Sequence, residues 1–149
     1  IDATDDCMFG QGVTTNYGIS SPVGDVVAVT FDLQASGFFS GSVLENATVT
    51  ASGNGTARDN GSSTSNGGGA FIVATTVSGS TPSLTAKITH SADNVTYADL
   101  VTFTALTSAG AEVKEIASGT TINRYLKVVY TVSGTTPSFS VIVGLGRNN

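Results

Sequence analysis

"TVSGSTPS" at 76–83 and "TVSGTTPS" at 131–138 differ at a single position, Ser80 against Thr135. An alternating run follows each, "LTAKITH" after the first and "FSVIVGL" after the second. How these stretches are read decides the fold. Gly supplies a permissive φ, whereas Pro fixes its own φ and lacks an N–H, so it belongs in a loop or at the first residue of a strand. The expectation is therefore two hairpin turns of one sheet protein, joining "AFIVATTV" to "LTAKITH" and "RYLKVVYTV" to "FSVIVGLG". The sequence between the copies does not repeat, which disfavours a duplicated domain. A repeated ligand loop would have only Ser and Thr hydroxyls and backbone to offer. Ser80, Thr81, Thr135 and Thr136 are then a hydroxyl-rich tip and a candidate weak contact surface.

Outward from the two copies, period-2 alternation is everywhere and helical periodicity is hard to find. The alternation puts Val27, Val29, Phe31 and Leu33 on one face of their strand, and Phe71, Val73, Thr75 and Val77 on one face of theirs. It points Leu84, Ala86 and Ile88 inward, with Thr85, Lys87 and Thr89 outward. Val101, Phe103 and Ala105 form another inward set. So do Leu126, Val128, Tyr130 and Val132, with Tyr125, Lys127 and Val129 behind them. Phe139, Val141, Val143 and Leu145 complete the pattern. "VTASGNGTAR" reads as a weaker strand broken by Gly. "SADNVTY" reads as a hairpin turn, because Asp93 and Asn94 tolerate left-handed backbone and cap turns with their own side chains.

Two stretches stand apart. "GNGTARDNGSSTSNGGGA" (53–70) is poor in apolar residues and predicts a long surface loop or loose hairpin. "SGFFSGS" (36–42) is flanked by Gly and Ser and predicts a segment boundary. Residues 1–36 are then terminal strands or an arm of a tube-type β-structure, and residues 42–149 a β-sandwich domain. Short strands at about ten-residue spacing predict an all-β, antiparallel sandwich, immunoglobulin-like or jelly-roll-like.

Composition narrows the function classes. Charged residues are only 11% of the 149, and the net charge is −5 with six Lys and Arg, so a phosphate-gripping nucleic-acid binder is not expected. A lone cysteine, Cys7, excludes an internal disulfide framework, and Asp5 and Asp6 beside it would raise its pKa. No apolar run reaches the length of a membrane helix. His90 is the only histidine; Ser91 and Asp93 lie near it in sequence, yet both are ordinary turn residues and no Gly-x-Ser-x-Gly elbow supports a catalytic reading. One His and one Cys do not make a zinc site, and "RDNGSSTSNGG" lacks the acidic spacing of an EF-hand loop. No catalytic, cofactor or metal residues are assigned. Four Asn-x-Ser/Thr triplets, at Asn46, Asn54, Asn60 and Asn94, read as chance in a chain rich in these residues. Sugar binding would want aromatic platforms, and without Trp the candidates are Tyr97 and Tyr125.

"THSADNVTYADLVTFTALT", with "INRYLKVVYTVSGTTPSFSVIVGLGR" after it, resembles the C-terminal region of a family of tailed-bacteriophage virion proteins described as tail or tail-tube-like. The matching positions are Ser91, Asp93, Asn94, Thr96, Tyr97, Asp99, Leu100, Thr102-Phe103, Arg124-Tyr125-Leu126, Gly134 to Phe139, and Arg147. "TASGNGTARDNGSSTSNGGGAFI" is similar to the Gly-rich hairpin that precedes this block, and "YGISSPVGDVVAVTFDLQASG" to the closing strands of a tube-type sandwich. Family members carry a longer N-terminal part than this sequence has, so a C-terminal portion or a shorter relative is expected. The resemblance implies a non-enzymatic structural protein of the virion, tail more than capsid surface, which assembles with copies of itself and other virion proteins. A capsid decoration protein and a carbohydrate-binding adhesion module, the latter making weak cell-surface glycan contacts, are the alternatives.

Overall fold

The computed structural model describes residues 6–20 and 28–148. They form β1 (Asp6–Ser20), β2 (Ala28–Val49), β3 (Gly53–Asn54), β4 (Arg58–Asp59), β5 (Gly68–Ser91), β6 (Ala98–Thr102), β7 (Gly110–Ile116) and β8 (Tyr125–Arg147). Every ladder is antiparallel and the described residues hold no helix, as the Val- and Thr-rich alternation predicts. The predicted positions 1–5 and 21–27, Val27 among them, lie outside the described residues.

The two copies of the repeat are not hairpin turns. β5 runs straight through the first and β8 through the second, and the two strands pair along their whole length from Gly68↔Arg147 to Ser91↔Tyr125. The copies therefore lie side by side, antiparallel, with Ser80 opposite Thr135. Each is a bend rather than a reversal. Gly79 and Gly134 both take φ 113°, and Thr81 and Thr136 take φ 49° and 48°. The register slips on both sides of Ser80, and Pro82 and Pro137 are left out of the ladder, as a residue without an N–H must be. Gly, Thr and Pro suit a tight turn and a bulged bend equally well, so composition alone does not separate the two. The partner strand does.

Beyond the bend the sheet curls over its own apolar face, giving a sandwich-like body. The N-terminal half of β5 lies between β7 and β8, and β8 pairs on its far side with β2. The C-terminal half of β5 lies between β6 and β8, and there β8 pairs with β3 and β4. One core cluster draws on both halves of both strands: Ala70, Ile72 and Ala74, Leu84, Ala86 and Ile88, Leu126, Val128 and Tyr130, Phe139, Val141, Val143 and Leu145. Val101, Phe103, Ile116 and Ile122 close it.

Three inward faces thus follow the alternation as read, and one does not. In "AFIVATTV" the core takes Ala70, Ile72 and Ala74 rather than Phe71, Val73 and Thr75. Bulk misled the reading, because Phe71 is also buried, but its ring packs against Phe9 of β1, with centroids 4.6 Å apart. A bulge at Thr75 then flips the parity, which returns Val77 to the core side. Thr89 is buried rather than outward, next to a bulge in the β5–β6 ladder, where its hydroxyl donates to the Lys127 carbonyl at 3.0 Å. Ala105 is exposed, and Leu106 packs on the core instead. The Gly-rich 53–70 stretch is mostly exposed, but Gly67 to Ala70 are buried at the start of β5.

"SGFFSGS" does not break the strand. β2 continues through it, and what changes there is its partner. Residues 28–42 pair with β1, and residues 41–49 pair with β8. β1 and the first part of β2 make a two-stranded arm, bulged at Thr15 and Ser36.

Candidate contact surface

The six candidate contact residues fall into two groups, one at the bend midway along the paired strands β5 and β8 and one near the end where Ser91 pairs with Tyr125. Ser80, Thr81, Thr135 and Thr136 meet at the bend, and all four are exposed. Thr81 uses its hydroxyl locally, donating to the Ser80 carbonyl at 2.8 Å. The bend carries no charge, and what it offers is hydroxyls and backbone. Its shape is set by the glycines: a Cβ at Gly79 would sit 2.7 Å from the Thr136 carbonyl oxygen, and one at Gly134 would sit 2.7 Å from that of Thr81.

The second group lies where β5 hands over to β6. Asp93 organises the Ser91–Tyr97 turn, its Oδ1 accepting from the Ser91 hydroxyl at 2.7 Å, the Thr96 N–H at 2.8 Å and the Val95 N–H at 2.9 Å. These donors, the Thr96 N–H foremost, hold its carboxyl down at about 2. Asn94 takes φ 60°, as the sequence predicts for this turn, and accepts from the Tyr97 hydroxyl at 2.5 Å. The Lys127 ammonium sits 3.8 Å above the Tyr97 ring, a cation–π contact. Arg124 lies 5.1 Å from the Tyr125 ring centroid and forks onto Asp59 at 2.8 and 2.6 Å. Burial pushes the Tyr97 phenol up, and the Asp93 carboxylate pushes it further. Both tyrosines are half-buried and Val95 at the turn tip is 79% exposed. The surface is a run of two rings and two cations, not a bare aromatic platform. Lys127 was legible on the same outward face as Tyr125, since the two are two apart on an alternating strand; that Lys127 would cover Tyr97, and that Asp59 would reach Arg124 across β4–β8, was not.

The other chemically interesting residues are engaged locally. His90 accepts the Asn123 N–H at Nδ1, 3.3 Å away, and burial, then Arg147, lowers its pKa. The Ser91 hydroxyl is turned to Asp93, not to His90. The guanidinium of Arg147 donates to the carbonyls of Ser62, Ile122 and Asn123. Cys7 is half-buried, and its thiol is pushed up by burial and by Asp6. Among the described residues no group of three or more His, Cys, Asp or Glu is placed to hold a metal ion.

No family model matches this chain, and no curated protein matches it.

Proposed function

We propose that this chain is a non-enzymatic structural subunit of a tailed-phage virion, of the tail-tube type, assembling with copies of itself and with other virion proteins through its sheet edges and loops. The motif resemblance from Ser91 to Arg147 supports the virion class. The observation that carries the assembly role is the arm. From Ala28 to Ser40 the ladders give β2 one partner, β1. At about 3.4 Å per residue this ribbon is roughly 40 Å long. A two-stranded hairpin is marginal in water by itself, and a sheet edge without a third strand is a template for further pairing. A neighbouring subunit's sheet satisfies both needs, and many copies of one modest contact sum through multivalency. Capsid decoration is the alternative placement for the same physics.

Removal of residues 1–40 tests the reading. The body is expected to keep its strand circular dichroism and lose its place in the particle. Virions that incorporate the shortened chain at normal copy number sink the assembly role. Imaging the intact protein in particles separates the placements: six-fold stacked rings along a tube mean tail, and three-fold or isolated knobs on a shell mean decoration. A glycan-binding adhesion module is a second reading, favoured by the neighbouring Tyr97 and Tyr125. It requires that Tyr125→Ala abolish retention on host-surface polysaccharide, and an unretained native chain ends it.

A further inference from the structure

The ladders of the body share a property that no single strand reveals. Each joins a strand of 41–91 to a strand of 98–147. β2 pairs with β8, β3 and β4 with β8, β5 with β6, β7 and β8. The isolated bridges obey the same rule, Thr64 with Ile122 and Leu84 with Leu106.

The two halves also have the same plan. Each runs edge strand, second strand, long bent strand: β2, β3–β4, β5 in the first, and β6, β7, β8 in the second. A two-fold axis through the Ser80–Thr135 pair maps one set onto the other. The pair Ala74↔Val141 maps onto Ala86↔Tyr130, Ala70↔Leu145 onto His90↔Leu126, and Val77↔Phe139 onto Leu84↔Val132. Irregularities map too. β2 bulges at Leu44, between residues paired to Gly144 and Val143. β6 bulges at Leu100, between residues paired to Thr89 and Ile88. The bends match in φ, 113° at both glycines, and in the carbonyl each glycine faces across the axis. In each half a cation of the second strand donates to an edge-strand carbonyl, Arg58 to Leu44 and Lys114 to Thr102. The sequence keeps a trace, "VTASG" at 49–53 against "LTSAG" at 106–110. Across 69–91 and 125–146, the stretches the axis relates, Thr75, bulged out in the first half only, is the one residue without a counterpart. A duplication is therefore present, but as two interlocked halves rather than two domains side by side.

We propose that each half of the body is a complete binding partner for the other, and that a second copy of this chain supplies the missing half whenever the Ser91–Tyr97 turn is prevented from closing. That turn is the sole covalent link between the halves. The ladders it permits are indifferent to which chain provides each half. Half-exchange of this kind is a low-cost route by which one chain joins to another.

Deleting residues 91–97 tests it. His90 is then bonded directly to Ala98, its present ladder partner, so β5 and β6 become one strand and no longer reverse within a chain. The expected product is a folded dimer with twice the monomer mass by light scattering and the strand circular dichroism of the parent. A folded monomer overturns the proposal, and so does a chain with no folded species. The intact chain gives an independent check through a protease site inserted between Asn94 and Val95. After cleavage the two pieces are expected to co-elute, to separate in denaturant, and to recombine one to one on its removal. Pieces that each fold alone and ignore one another overturn it. Both readouts use purified protein without particles, so their failure leaves the assembly role of the arm untouched.

Discussion

The two halves of the body reach the same arrangement with different residues, and the contrast separates what the fold demands from what it tolerates. Bend, bulge and strand order are common to both. Side-chain sizes are not. Ala70 stands where the second half has Leu126, Ala74 where it has Tyr130, and Ala86 where it has Val141. Small residues of one half meet large ones of the other across the ladder, so the halves are complementary rather than identical. Interdigitation of large and small is what fills a core to native density. The second strand differs as well. β7 is continuous, whereas its counterpart is broken into β3 and β4 by the Gly-rich stretch. At the edge, β6 begins at a tight turn, whereas β2 arrives from the arm. The arm is the largest departure from symmetry, and it is the part we assign to assembly.

The contrast predicts one cooperative core. Phe139 and Leu84 occupy equivalent positions, and each is 0% exposed. Phe139→Ala is expected to cost about 3–5 kcal/mol and Leu84→Ala about 2–5 kcal/mol, from lost burial plus the cavity left behind. Urea unfolding followed by circular dichroism and by tyrosine fluorescence should show one coincident transition in both variants. Two transitions, with one half surviving Phe139→Ala, would break the claim that the halves fold only on each other.

The bend glycines sharpen the comparison at its axis. Gly79→Ala and Gly134→Ala each force a side chain into φ 113° against a carbonyl of the opposite copy. Each is expected to cost about 1–3 kcal/mol, the range for a residue held in disfavoured backbone. The two losses should agree closely, because the two-fold axis gives both glycines equivalent surroundings. A neutral result at one glycine and a large loss at the other would show that the axis is only topological.

Much of this was legible in the sequence and the central feature was not. Leu84 to Ile88, Leu126 to Tyr130 and Phe139 to Leu145 follow the period-2 rule because they lie in unbulged stretches of strand. The Ser91–Tyr97 turn was legible because Asp93 and Asn94 act within a few residues. Phe71 was placed on the wrong face because it is the bulkiest residue of its strand, and its true partner, Phe9, is distant in sequence. The edge strand 41–49 was missed, since Glu45 and Asn46 interrupt its alternation and Leu44 is a bulge. The repeat was visible from the start, but turn chemistry is local and pairing is not. Nothing within eight residues says whether a Gly-Thr-Pro bend closes on itself or on its copy. The candidate surface shows the same division, with Lys127 predictable from alternation and Asp59 placed only by the β4–β8 ladder.

The smallest effects come from two titrating groups outside the symmetry, His90 in the first half and Asp93 in the turn that links the halves. His90 stands where the other half has the core residue Leu145, and it is neutral by preference because burial, then Arg147, lowers its pKa. A lowered histidine pKa favours the unprotonated form in the folded state. Its contribution is therefore complete above the unfolded value of about 6.5 and is lost as pH falls below it. Asp93 is held at about 2 by the turn it caps. Its contribution is complete above the unfolded value of about 3.9 and is lost as pH falls from there toward the folded one. Unfolding midpoints measured from pH 7 to pH 2 should thus fall in two separate steps. His90→Leu should erase the first step and leave the second, and Asp93→Asn should leave the first and shrink the second, which Asp59 and Glu112, also held low, share. If both variants keep both steps, the pH dependence belongs to the rest of the chain and the asymmetry of the halves is electrostatically silent.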